Sequence, residues 1–178
     1  KQMEEELSAP EIKNVDDGPL AELCKNKFSE LNGSLEAIAM LTMAGIPVFI
    51  ATNQSAVGRG IISDLDLQKI HKKMMKMVVE AGGKISDIKY CPHLPSAACN
   101  CRKPEPGLLN QIFVENKLKG SDGFFVGDAA TDLQAAKLAG CNPVLVLTGK
   151  GKKTIESCPE QSLVFDNLKS FVTSLLKK

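Results

Sequence analysis

The sequence carries no excess of either charge: 22 Lys and Arg stand against 21 Asp and Glu, a formal net charge of +1. That removes the electrostatic footprint expected of a chain whose ligand is a nucleic acid or an anionic membrane. No apolar run approaches the roughly 20 residues of a membrane-spanning helix. No secretory leader is recognisable, so the expectation is a chain that is not secreted. A regular cysteine framework is missing too. The six cysteines are irregularly spaced, which fits a reducing compartment, the cytoplasm or an organelle matrix, better than a disulfide-stapled ectodomain. Neither an internal repeat nor a low-complexity linker divides the chain. With 178 residues and 43% hydrophobic content, there is material for one well-buried core but not for two full domains, and 1–178 reads as a single domain.

What is present alternates between two periods. A helix is predicted over Ser34 to Ala44, burying Leu35, Ile38 and Leu41 and stopping at Gly45. Pro47 to Thr52 then reads as a short buried strand. Ser63 with Asp66 resembles a capping box opening a helix that shows Ile70, Met74, Met77 and Val78 on one face and ends at Gly82-Gly83. The methionines there read as core filling. Further strands are predicted at Ile85 to Tyr90, Gly123 to Asp128 and Pro143 to Thr148, with a short edge strand at Leu163 to Phe165. Helices are predicted at Pro106 to Leu118, through Leu133 and Ala136 to Gly140, and at Leu168 to Leu176. Lys150, Lys152 and Lys153 read as a solvated loop. Strands alternating with helices of this length indicate an α/β fold, a doubly wound parallel sheet covered on both faces.

The densest chemical signal is Cys91-Pro92-His93 followed by Cys99-Asn100-Cys101, three cysteines and a histidine within residues 91–101. Four such ligands at close spacing suit a closed tetrahedral zinc site that needs no help from elsewhere. Disulfides or buried unpaired thiols are the plain alternatives. The interleaved histidine and the prolines favour a zinc-stapled loop held by Cys91, His93, Cys99 and Cys101.

In an open parallel sheet, ligands bind outside the carboxyl ends of the strands. Three groups are predicted there. Thr52, Asn53, Gln54 and Ser55, with Gly58 and Gly60 around Arg59, offer hydroxyls and backbone amides to an anion. Arg102 and Lys103 supply fixed positive charge after the cysteine loop. Asp128, with Asp132 four residues on, offers carboxylates suited to Mg²⁺. Singly these also read as a polar turn, a solvated pair and a helix N-cap. Their order, each after a strand, argues for a site.

Taken together, Thr52 to Gly60, Cys91 to His93, Cys99 to Gly107 and Val126 to Ala136 resemble the haloacid-dehalogenase-type phosphatases. More narrowly they are similar to the heptose-bisphosphate and histidinol-phosphate phosphatase group, over about Asn14 to Lys150. The resemblance implies a haloacid-dehalogenase-like fold with no large cap. It implies that Thr52, Asn53 and Lys103 hold the transferring phosphoryl group, and that Ser55, Arg59 and Arg102 help bind substrate. It further implies magnesium at Asp128 and a structural zinc at the cysteine-histidine cluster, shaping the substrate loop. Ala56 and Leu108 depart slightly, where the family usually has glycine and methionine.

One departure is larger. The family's first motif is an apolar strand ending in Asp-X-Asp-Gly, which supplies the nucleophile and the general acid/base. Ungapped counting puts Ser8 and Pro10 at those positions, and neither can form or service an aspartyl-phosphate. Asp16-Asp17-Gly18 is a substitute, but the segment before it, Glu11 to Val15, is too polar for a central strand. The expectation is therefore a catalytically disabled relative, serving as a binding or scaffold module with protein partners in a larger assembly. The alternative is a working Mg²⁺-dependent phosphatase acting on a small phosphorylated sugar or histidinol phosphate. A structural expectation accompanies both: a gap between the strands ending at Thr52 and Asp128, filled poorly by Glu11 to Val15.

Overall fold

A computed structural model describes residues 32–161 and 163–177. The expectations that concern Ser8, Pro10, Glu11 to Val15, Asp16 and Asp17 lie outside the described residues. The elements in chain order are α1 (Asn32–Met43), β1 (Phe49–Asn53), α2 (Ser55–Gly58), α3 (Asp64–Glu80), β2 (Asp87–Cys91), α4 (Gly107–Asn116), β3 (Phe124–Gly127), α5 (Ala130–Leu138), β4 (Asn142–Val146), α6 (Gly151–Ser157), β5 (Val164–Phe165) and α7 (Leu168–Leu175), with 3₁₀ turns at Pro95–Ala97 and Gly120–Asp122.

The strands are short and parallel, and among the described residues they form two pieces. In one, β1 pairs with β2 from Phe49 opposite Asp87 to Asn53 opposite Cys91. In the other, β3 pairs with β4 and β4 with β5. Parallel strands need crossovers, and each crossover lays a helix on a face of the sheet. Strand alternation decides which side chain meets which helix. On one face, α1 reaches both pieces: Ala37 and Leu41 pack with Val144 of β4 and with Phe171 and Val172 of α7. One helical position on, Ile38 packs with Val78 of α3, with Ile85, and with Ile50 of β1. On the other face, Leu108, Leu109 and Ile112 of α4 join Ala51 and Cys91 to Ala135 and Ala136 of α5, with Phe49 and Phe125 beside them. Among the described residues, helix packing joins the two strand pieces.

Local signals explain the helix ends. Ser63 accepts a hydrogen bond from the Asp66 amide at 3.1 Å, and the Asp66 carboxylate accepts one from the Ser63 amide at 3.0 Å. This is the reciprocal capping box read from the sequence, and the Ser63 contacts hold the Asp66 carboxyl below its ordinary range. Ser63→Ala should lower unfolding stability by about 1 kcal/mol, readable as a shifted denaturant midpoint at unchanged slope.

The lysine cluster corrects the sequence reading. Lys150 caps α6, and Lys152 and Lys153 lie in its first turn, exposed but helical. A helix this short, burying only Gly151 and Thr154, leaves no apolar period to read. At the carboxyl edge of the strands the connections at 54–63 and 92–106 contain only α2 and one 3₁₀ turn, so among the described residues no large cap covers it. No helix among them is long and apolar enough to cross a membrane.

Candidate functional site

The site is assembled where β1, β2 and β3 end. Asn53, the last residue of β1, ties two chain segments together: its Oδ1 accepts from the Lys103 amide and its Nδ2 donates to the Lys103 carbonyl, both at 3.1 Å. The Gln54 amide donates to the Cys91 carbonyl at 2.7 Å and the Gly58 amide to that of Pro92 at 3.0 Å. Gln54 Nε2 donates to Thr52 Oγ1 at 3.1 Å. The segment 52–58 and the loop after β2 are therefore one hydrogen-bonded unit.

The Lys103 side chain crosses from that unit toward β3. Its Nζ donates to the Ala51 carbonyl at 2.8 Å, pairs with Asp132 Oδ1 at 2.7 Å and stands 5.1 Å from the Phe125 ring centroid. Lys103 and Asp132 side chains are 11% and 10% exposed, so both charges are largely removed from water and need each other. Asp132 Oδ2 also accepts from the Ala129 amide at 3.1 Å, closing the start of α5. Gly127 is required here because a Cβ would overlap the Asp132 carboxylate.

This changes one sequence expectation. Asp132 had been placed with Asp128 as a second carboxylate suited to Mg²⁺; it is instead the counter-ion of Lys103 and a helix-capping group. Asp128 stands apart from it, held by the turn after β4. Asp128 Oδ2 accepts from the Lys150 amide at 2.7 Å, and its carbonyl accepts from Thr154 Oγ1 at 2.7 Å. Gly149, at φ +56°, brings the backbone so close that a Cβ would strike the Asp128 carboxylate. The N-cap of α5 is Ala129, so Asp128 is not the capping residue.

Lys103, Asp128, Asp132 and Thr148 border one cleft of about 790 Å³. Thr52 and Asn53 do not line it; Asn53 is joined to it only through its hydrogen bonds with the Lys103 backbone. Arg102 is fastened to the cysteine loop, its Nη1 donating to the His93 carbonyl at 3.1 Å. Ser55 begins α2 and Arg59 caps its end. Among the described residues neither side chain has a hydrogen-bonding or ionic partner.

The four predicted ligands come together. Cys91 Sγ lies 3.5 Å from His93 Nδ1 and 3.6 Å from Cys99 Sγ, while Cys101 Sγ lies 3.3 Å from His93 Nδ1 and 3.4 Å from Cys99 Sγ. These four separations are edges of a tetrahedron about one small cation at about 2.0–2.3 Å from each ligand, and all four ligand atoms lie within 4.8 Å of one another. Burial raises the Cys99 thiol, but hydrogen bonds with Cys101 and Cys91 and with backbone amides outweigh it and bring it down to about 6. Burial pushes Cys101 up to about 12, and Cys91 and Cys99 add to the push. One thiolate forms readily and resists the next, a conflict that a bound divalent cation relieves. The donor set therefore fits a soft or borderline metal. Ala98, at φ +44°, turns the chain back so that Cys99 and Cys101 face the other two ligands. The described cysteines, Cys91, Cys99, Cys101, Cys141 and Cys158, are all free thiols.

Lys103 with Asp132, and Asp128 with Gly149, Lys150 and Thr154, are pairings that sequence reasoning missed. No spacing signal announces them, since the partners lie 21 to 29 positions apart and meet only through the sheet.

The family model described as HAD-hydrolase-like matches residues 100–171. A D-glycero-beta-D-manno-heptose-1,7-bisphosphate 7-phosphatase of Neisseria meningitidis is 43% identical over 157 residues, covering 86% of this chain and 84% of its own. The Pseudomonas aeruginosa protein of the same name is 45% identical over 153 residues, covering 85% and 86%. The crystal structure of D,D-heptose 1,7-bisphosphate phosphatase from B. bronchiseptica, complexed with magnesium and phosphate, superposes with a TM-score of 0.80 at 42% identity and 83% coverage of each chain. These likenesses overturn the expectation of a disabled scaffold module in a larger assembly. Proteins this similar over most of the chain carry the names of phosphatases. The first-motif count that led to the disabled reading concerned residues outside the described set.

Proposed function

This chain belongs to the haloacid-dehalogenase-type phosphatases of the heptose-bisphosphate group, and from that premise we propose that it hydrolyses a phosphate monoester of a small phosphorylated sugar with Mg²⁺. The observation that carries the reading is the Lys103 ammonium, nearly buried, sharing one cleft with the Asp128 carboxylate at the carboxyl ends of the strands. The names and the magnesium and phosphate of the relatives support it.

In this reading Lys103, Thr52 and Asn53 hold the phosphoryl group. A fixed cation aimed at the transferring oxygens stabilises charge in the transition state at little reorganisation cost. Asp132 is a positioning residue: it neutralises Lys103 and fixes the direction of its ammonium. Asp128 would hold Mg²⁺, a hard cation that prefers carboxylate oxygen and, when bound, neutralises charge on the phosphoryl oxygens. Cys91, His93, Cys99 and Cys101 would hold a structural zinc, whose role is to brace the loop carrying Arg102 and Lys103. Arg102, fastened to the cysteine loop, and Ser55 and Arg59 of α2 and its end are assigned to the sugar. Asp128 and Asp132 are both committed by hydrogen bonds, so the attacking carboxylate is assigned to a residue outside the described set.

The test is phosphate release from heptose bisphosphate and from a panel of sugar phosphates, in Mg²⁺ and in chelator. Turnover should require Mg²⁺, and Asp128→Asn should lower kcat/KM by about 10²-fold or more. The enzyme trapped mid-turnover should carry a hydroxylamine-sensitive acyl-phosphate that maps outside 32–177. Absence of turnover of any phosphorylated sugar by the metal-replete protein would sink the reading.

A further inference from the structure

Two polar side chains are buried among the described residues, Asp132 and Thr154, each 7% exposed. Asp132 answers Lys103. Thr154 has no part yet in the chemistry, and its hydrogen bond is unusual for a helical threonine. It lies in α6, which buries only Gly151 and Thr154. A Cβ at Gly151 would overlap the Val146 carbonyl, so α6 is pressed against the end of β4. A threonine in a helix ordinarily returns its hydroxyl to a carbonyl three or four positions back. Here Oγ1 donates at 2.7 Å to the carbonyl of Asp128, 26 positions back and just past the end of β3.

Asp128 is thereby held at two points by one short stretch of chain. Thr154 fixes its backbone carbonyl, and the Lys150 amide, at 2.7 Å, fixes carboxylate Oδ2. Gly149, at φ +56°, leaves the carboxylate room to reach that amide. Among the described residues Oδ1 has no hydrogen-bond partner, so it is the oxygen left for a cation.

We infer that Thr154 is a positioning residue for the magnesium site: by fixing the Asp128 carbonyl it sets where Oδ1 stands, and so how tightly a divalent cation is held. The inference rests on the assignment of Mg²⁺ to Asp128 made above. Mg²⁺ demands near-ideal octahedral geometry, so a small displacement of one carboxylate oxygen costs affinity. Groups that hold a ligating carboxylate therefore tune the metal without touching it. With the Thr154 hydroxyl removed, Oδ2 stays on the Lys150 amide while the backbone of Asp128 is free to shift. The carboxylate then follows α6 and not the end of β3. A plain staple of α6 onto the sheet would affect stability alone; a positioning residue also changes metal affinity.

The experiment is Mn²⁺ binding to the full chain loaded with zinc, read by electron paramagnetic resonance without substrate, Mn²⁺ standing in for Mg²⁺. Thr154→Val keeps the shape and removes the hydroxyl, Thr154→Ala removes it with less bulk, and Thr154→Ser retains it. The Val and Ala variants should each bind Mn²⁺ about 10-fold more weakly, and the Ser variant within about 2-fold of the parent. If Thr154→Val does not fold, Thr154→Ala gives the reading. In turnover, Thr154→Val should need about 10-fold more Mg²⁺ for half-maximal rate. It should still approach the parent kcat at saturating Mg²⁺, a rescue that general loosening of the fold would not give. Unchanged Mn²⁺ affinity in the Val and Ala variants, even with a lowered Tm, makes Thr154 a staple only and overturns the inference. A Ser variant as weak as the Ala variant overturns it equally. Mn²⁺ binding untouched by Asp128→Asn would remove the magnesium assignment and the inference with it. Mn²⁺ binding that depends on Asp128 and Thr154, without turnover of any sugar phosphate, would sink the phosphatase reading and leave the inference standing.

Discussion

Lys103→Met should lower kcat/KM for a sugar phosphate by about 10²–10³-fold, the usual loss when one fixed donor to the transferring group is removed. The same substitution should destabilise the fold by about 3–5 kcal/mol. The reason lies in Asp132. Its carboxylate is 10% exposed, tied by one oxygen to the Ala129 amide and by the other to the Lys103 ammonium. Methionine fills the space of the lysine stem over Phe125 but leaves that carboxylate without its counter-ion. Adding Asp132→Asn removes the orphaned charge and should restore most of the stability. It should restore none of the activity. Denaturant unfolding beside steady-state kinetics on the single and double variants separates the two roles, and an unchanged kcat/KM in Lys103→Met would remove Lys103 from the site.

Loss of a metal ligand should have the second largest effect. Cys101→Ser is expected to reduce bound zinc from one per chain to a substoichiometric amount, measured by metal analysis after dialysis. Binding energy at such a site is also folding energy for the loop that carries it. For a site held at 1,000 times its dissociation constant, the lost stabilisation is about 4 kcal/mol. In a domain of this size that is a fall in Tm of about 8–16 °C. The consequence should reach the cleft. Arg102 is fastened to the His93 carbonyl, and the Lys103 backbone is clamped by Asn53, so a slack loop displaces both cations. Kinetically, KM should rise with the loss of Arg102 placement and kcat should fall with that of Lys103. A variant that loses zinc but keeps both kinetic constants and Tm would show the cluster to be dispensable.

The scaffold expectation rests on an ungapped count over residues 7–18, where no helical or strand period fixes the register. Ser8 and Pro10 were plausible only under that count. The likeness of the rest of the chain to proteins named as phosphatases carries more weight, because it extends over most of the strands and helices that build the cleft. The expected filling of the space between β1 and β3 by Glu11 to Val15 concerns residues outside the described set.

What the sequence by itself determined was everything whose partners are close along the chain. The capping box at Ser63 and Asp66 spans three positions, the metal cluster eleven residues, and the alternation of strands and helices repeats within short windows. Local geometry and short-range chemistry are enough to specify these. Only the tertiary structure decided where Asp132 and Asp128 direct their carboxylates. Read locally, two aspartates four positions apart look like one metal site. In the fold, Gly127 presses the backbone against Asp132 and the Lys103 ammonium arrives from the far side of the cleft to claim it. Asp128 is claimed separately, by the turn after β4. A buried charge goes to whatever counter-charge the packing brings within reach, and that depends on the order of strands in the sheet, which no spacing in the chain records.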